Sequence, residues 1–115
     1  MCIFANVEPE MQAKLINAAC GLDWTIEDMM KCGERSWNLK RLINHRMGLT
    51  RANDKLPKAL LEPAPDGGSA GFVLDIEGML LAYYQARGWD PETGKPTREK
   101  LLELGLDDMA KDLWD

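Results

Sequence analysis

Between Thr25 and Gly48 the chain runs without a proline, opens on Thr-Ile-Glu-Asp and closes on a glycine. That pattern commits the stretch to one long helix. Thr25 and Asp28 have the spacing of a capping box, in which each side chain satisfies the other residue's backbone N–H, and Trp24 stands where a hydrophobic staple to Met29 belongs. The spacing predicts a helix from about 26 to 47. Wound at about 100° per residue, it gathers Ile26, Met29, Met30, Cys32, Gly33, Trp37, Leu39, Ile43 and Met47 on one arc. Lys31, Arg35, Arg41, His45 and Arg46 fall on the other, with Leu42 among them. The apolar arc is expected to face a core. Lys40 and Asn44 lie inside that arc, where polar groups need partners.

The flanking sequence is punctuated in the same way. Pro9–Cys20 has proline at the first helical position and Gly21 past its end, the asymmetry of a short helix. After Gly48 a stretch rich in proline and glycine, with an Asp66-Gly67-Gly68 turn signal, reads as a long surface connection holding at most one short turn at 57–61. Asp75 then caps a helix with Ile76, Met79, Leu80, Tyr83 and Tyr84 on one face, ending at Gly88. "WDPETGKP" makes a turn, Thr97 caps a helix that runs to Leu104, and a last acidic turn ends at Trp114. No strand alternation or internal repeat is legible. The expected fold is all-α: an irregular multi-helix domain of about five helices with long coil connections, one domain over 1–115.

Charge narrows the partners. The formal net charge is −5, yet residues 31–58 carry eight Lys/Arg against two acids, while residues 59–115 carry five against twelve. A basic segment inside an acidic chain, with acidic flanks that repel phosphate, argues against nucleic-acid binding. A free-standing module binding an acidic partner through the basic face of residues 31–58 is the alternative reading. The N-terminal residues lack a basic signal-peptide region, and no segment has the length to span a bilayer, so a cytoplasmic protein with no membrane partner is expected. Cys2, Cys20 and Cys32 are odd in number and widely spaced, which suits reduced thiols better than disulfides or a self-contained zinc site. Cys20 and Cys32 read as small core residues. His45, the only histidine, has no nucleophile or carboxylate at dyad spacing on its helix face and reads as a surface group; Asp107 and Asp108 read as solvated charge. No catalytic residue is assigned.

The segments "GERSWNLKRLINHRMGLTRANDKLPKALLEPAPDGGSAG" and "DIEGMLLAYYQARGWDPETGKPTREKLLELGL" together resemble the C-terminal region of the tungsten-dependent aldehyde ferredoxin oxidoreductases. The resemblance runs over nearly the whole chain, in order. It implies the family's C-terminal helical domain. It also aligns Cys2 with the cysteine of an Asp-x-x-Gly-Leu-Cys motif, the last thiolate ligand of a [4Fe–4S] cluster beside a tungsten (or molybdenum) pterin. The rest of that motif and the family's Cys-x-x-Cys-x-x-x-Cys group have no counterpart here, so the chain is expected to be a C-terminal fragment that binds no cofactor and is inactive alone. What the resemblance implies for the complete enzyme is oxidation of an aldehyde to a carboxylic acid, with electrons passed through the cluster to ferredoxin. Cys2 is then the metal-cluster ligand. Arg35, Asn38, Lys40 and Asn44 are candidate polar groups facing neighbouring domains of the oxidoreductase or the anionic cofactor. Faces that were interdomain would also drive self-association of the isolated chain.

Overall fold

The computed structural model describes residues 7–115, in two compact units that divide between Trp37 and Asn38. Its elements are α1 (Pro9–Cys20), α2 (Ile26–Arg46), three short 3-10 turns (Arg51–Asn53, Lys58–Leu60 and Gly67–Ser69), α3 (Ile76–Arg87), α4 (Arg98–Glu103) and α5 (Asp107–Trp114). Over the described residues the fold is all-α with five α-helices, as expected. Among the described residues the only β pairing is two isolated bridges, Ala64 with Ala70 and Trp89 with Pro96. No described helix is long and apolar enough to cross a membrane.

In the first unit, α1 ends on Gly21, whose φ of 66° is open to glycine without Cβ strain, and its N–H donates to the Asn17 carbonyl at 2.9 Å. The Asn17 side chain then donates to the Trp24 carbonyl at 2.9 Å and accepts from the Trp24 N–H at 3.0 Å, fixing the connection to α2. The capping box at the start of α2 forms as the sequence predicts. Asp28 N–H donates to Thr25 Oγ1 at 3.1 Å and Thr25 N–H to Asp28 Oδ2 at 2.9 Å; these Thr25 bonds hold the Asp28 carboxyl below its ordinary pKa. Cys20 is exposed and Cys32 half-buried, so neither is the core residue its hydrophobicity suggests.

In the second unit, Leu42, Leu101 and Ala110 form the buried centre, with Leu39, Leu106, Met109 and Leu113 packed around it. α4 is short, but Thr97 Oγ1 accepts from the Lys100 N–H at 3.2 Å, and Leu101 at its middle is fully buried. The final acidic stretch is a two-turn helix rather than a single turn, because Ala110, Met109 and Leu113 give α5 an apolar side to pack. Trp114 Nε1 donates to the Pro96 carbonyl at 3.1 Å and ties the end of α5 back to the turn before α4.

The face that α2 buries in this unit reverses the expected one. Asn38, Arg41 and Leu42 are buried, all from the arc predicted to be charged or at its edge. Ile43 and Met47, from the apolar arc, are 57% and 75% exposed, and Met30 and Trp37 earlier in the helix are exposed as well. Lys40 and Asn44, which the winding left needing buried partners, are both on the exposed side. Partners supplied from distant sequence cause the reversal: Asn38 and Arg41 are each satisfied by residues around positions 89 to 94. A polar side chain with all its bonds made can be buried at small cost. α3 keeps part of its predicted inner face: Tyr84 is buried and Ile76 and Leu80 are half-buried, while Met79 and Tyr83 from the same face are exposed.

Candidate functional site

The most constrained cluster of polar side chains in the second unit is built on Arg41. α2 delivers its guanidinium to Asp54, just after the 3-10 turn Arg51–Asn53, in a two-pronged contact: Nη1 to Oδ1 at 2.9 Å and Nη2 to Oδ2 at 2.5 Å. Arg41 Nε donates to the Gly94 carbonyl at 2.8 Å. Planar, bidentate geometry of this kind is what a guanidinium provides and an ammonium does not. The Tyr84 hydroxyl donates to the same Asp54 Oδ2. Above the guanidinium lies the Trp89 ring, its centroid 4.9 Å from Cζ, and Trp89 Nε1 donates to Asn38 Oδ1 at 2.9 Å. Five polar or aromatic side chains thus satisfy one another in a buried setting.

Local sequence explains how the parts arrive. Gly88, at φ 64°, ends α3 and lets the Trp89 N–H reach back to the Tyr84 carbonyl at 2.8 Å. Asp90 then accepts from Thr93 N–H at 2.7 Å and Thr93 Oγ1 at 2.6 Å, tightening the turn that presents the Gly94 carbonyl. Gly94 has φ 69°, and a Cβ there would lie 2.3 Å from Arg41 Nη2, so glycine is required on both backbone and packing grounds.

The electrostatics identify a clamp. Burial pulls the Asp54 carboxyl upward in pKa, but hydrogen bonds from Arg41 and Tyr84 outweigh it and hold the group below its ordinary value. Burial, reinforced by the Asp54 bond, pushes the Tyr84 phenol up to about 12. The carboxylate stays ionised and committed, and the phenol stays protonated. Neither group is poised as a general acid or base near neutrality.

His45 is half-buried rather than the solvated surface group expected. Burial lowers its pKa, a hydrogen bond with the Gly94 backbone partly offsets this, and the charges of Arg41 and Lys95 lower it further. The folded chain therefore keeps imidazole neutral where the unfolded chain, near 6.5, takes a proton. Protons bind preferentially to the unfolded state in that window, so stability falls as pH drops through 6.5. Asp54 has the depressed pKa of a carboxylate: its contribution is intact above the ordinary value of 3.8 and is lost as pH falls through the lower folded value. Urea midpoints are expected to fall between about pH 7.5 and pH 5.5, and His45→Gln to flatten that slope while leaving the steeper loss in stronger acid.

A groove lies between α2, the segment around Lys95 and α5, with a volume of about 360 Å³. Leu39, Leu42, Ile43, Met109 and Leu113 make its apolar walls, and His45, Arg46, Lys95 and Asp112 supply its polar groups. Arg46 and Asp112 touch at 3.3 Å, both well exposed to water.

Among the candidates drawn from the sequence, the structure brings one into this cluster. Asn38 is buried against Trp89; Arg35, Lys40 and Asn44 are exposed. Cys2 falls outside the described residues. Asp54, Arg41, Tyr84, Trp89 and Gly94 were not singled out, although a signal for Asp54 was present: apart from Glu34 it is the only acid in the basic segment 31–58. The basic face proposed for an acidic partner is also depleted, since Arg41 is held by Asp54 and Arg51 by Glu77 at 2.6 Å. As for metal, no group of three or more His, Cys, Asp or Glu that could hold an ion occurs among the described residues. They do not fit a four-thiolate cluster by themselves.

The residues of this clamp all lie within the signature segments 33–71 and 75–106. The family model "Aldehyde ferredoxin oxidoreductase, domains 2 & 3" matches residues 1–106. The chain belongs to the aldehyde ferredoxin oxidoreductase family. It is 50% identical over 110 residues to the tungsten-containing aldehyde ferredoxin oxidoreductase of Pyrococcus furiosus, covering 92% of this chain and 18% of that enzyme. The enzymes of the same name from Pyrococcus abyssi and Thermococcus kodakarensis are each 48% identical, over 95% and 92% of this chain and 18% of theirs. Among solved structures, the active site complex BamBC of benzoyl coenzyme A reductase, in complex with 1,5-dienoyl-CoA, superposes with a TM-score of 0.75. That match has 25% sequence identity and covers 93% of this chain and 15% of that one. The aldehyde ferredoxin oxidoreductase-like chain thus matches the C-terminal domains of its relatives and spans about a fifth of their length.

Proposed function

We propose that this chain serves as the C-terminal helical domain, over 1–115, of a cytoplasmic enzyme that converts an aldehyde and water to a carboxylic acid and releases electrons to ferredoxin. The observation that carries this reading is the match over residues 1–106 to domains 2 and 3 of the family, together with half-identical relatives named as tungsten-containing enzymes. In such an enzyme the tungsten pterin would supply the oxidation and a [4Fe–4S] cluster the route for electrons. Cys2 is the residue of this chain proposed to ligate that cluster. Arg35, Lys40 and Asn44, exposed along α2, are proposed to meet the remaining domains of the oxidoreductase or the anionic cofactor. Asn38 is more simply assigned to the clamp, where it accepts from Trp89.

The work of the clamp follows from its geometry. It fixes α2 from Asn38 onward to the segments around Asp54, Tyr84 and Gly94, so that Lys40 and Asn44 are carried on a rigid support. Rigid elements hold a functional group in place better than loops do. The remaining cluster ligands lie elsewhere on this reading, so anaerobic reconstitution of the 115-residue chain with iron and sulfide is expected to leave no stoichiometric cluster after desalting. Nor should the chain reduce a viologen acceptor when given an aldehyde. A [4Fe–4S] absorption spectrum that survives desalting on the monomer would overturn the assignment of Cys2 as one ligand of a shared set.

A further inference from the structure

We propose that the groove between α2, the Lys95 segment and α5 binds a small amphiphilic monoanion: a carboxylate carrying an aryl or short alkyl body. Its volume of about 360 Å³ is in the range of small-molecule sites and holds about a dozen non-hydrogen atoms at the roughly 30 Å³ that a water molecule occupies. The walls are apolar. Ile43 is 57% exposed there, and Met109 and Leu113 complete a surface that an aryl or alkyl body would cover. The cations stand at the same groove: Arg46, whose contact with Asp112 is a single long, exposed one, and Lys95, which rests against the Trp114 ring at 5.2 Å.

An exposed pair of that geometry contributes little, so the Arg46 guanidinium is available to a carboxylate at small cost. Asp112 sets the charge class. With one acid against two cations the groove keeps an excess of one positive charge, which suits a monoanion and disfavours a dianion such as sulfate. His45, held neutral, lines the groove without adding charge, and its Nε2 has no hydrogen-bond partner. The groove adjoins the Arg41 clamp through His45, whose backbone partner is Gly94, but its proposed ligand contacts are made by other residues, and it is independent of the cluster-ligand assignment of Cys2.

Phenylacetate, phenylacetamide and sulfate are the probes, titrated against the 115-residue chain while methyl resonances of Leu42, Ile43, Met109 and Leu113 are followed by NMR. Phenylacetate is expected to shift these methyls with a Kd on the order of 1 mM, the affinity a ligand of this size can reach. Phenylacetamide, the neutral isostere, should bind about tenfold more weakly, and Arg46→Ala should remove most of that difference. Arg46 is exposed, so this variant is expected to fold as the parent does. Equal affinity for the acid and the amide would overturn the proposal, as would sulfate shifting the same methyls equally well. So would the absence of any shift at concentrations about tenfold above the expected Kd.

Discussion

Asp54→Ala is expected to destabilise the folded chain by about 3 kcal/mol, because it leaves the buried Arg41 guanidinium without its counter-charge. The Arg41 side chain is only 8% exposed and cannot turn to water, and the Tyr84 hydroxyl loses its acceptor in the same step. In a domain of this size that is a large share of the total stability, and it corresponds to a fall in Tm of roughly 15 °C. Arg41→Met should cost less. The Asp54 it orphans is 25% exposed and keeps the Tyr84 hydroxyl, and a methionine fills the space beside the Trp89 ring. Urea denaturation of the two variants gives the order directly. Equal losses, or a larger loss for Arg41→Met, would show that the clamp's stability does not reside in the buried charge.

Gly94→Ala carries the second large effect, about 3 kcal/mol from two separable sources. A left-handed backbone costs a residue with a Cβ about 1–2 kcal/mol. The rest comes from the clash: the new Cβ would lie 2.3 Å from Arg41 Nη2 and 3.3 Å from the Tyr84 hydroxyl. An arginine free to swing would relieve this cheaply, but Asp54 holds it on two prongs. In an Arg41→Met background the clash is gone, and Gly94→Ala should cost only its conformational share. A double-mutant cycle therefore predicts a coupling of at least about 1 kcal/mol between positions 41 and 94, and additive losses would refute the contact.

How far these features could be read from sequence depends on how far each lies from its cause. Helix ends were legible because their causes are local. Thr25 with Asp28, Gly21, Asp75 with Gly78 and Thr97 with Lys100 all act within a turn or so of chain. The buried face of α2 was not legible, because winding ranks each side chain by its own polarity. Asn38 and Arg41 are buried by Trp89 and Gly94, which lie 51 and 53 residues away. Periodicity contains no information about partners at that distance. The signature segments did contain every residue of the clamp, but they span most of the chain, so the family resemblance enclosed it without singling it out. The same winding correctly grouped Ile43 and Met47 on one side of α2, but that side is exposed in the described chain.

On the proposed function, this chain should be interchangeable with the matching C-terminal part of a tungsten-containing aldehyde ferredoxin oxidoreductase and should contribute Cys2 to its iron–sulfur cluster. The direct measurement is iron content and cluster EPR of a chimera. In it, the 18% of the Pyrococcus furiosus enzyme that this chain matches is replaced by residues 1–115. The account predicts a reduced [4Fe–4S] signal and aldehyde oxidation in the chimera, with the signal lost or converted to a lower-iron species on Cys2→Ala. A chimera that folds and keeps an unaltered cluster after Cys2→Ala would contradict it.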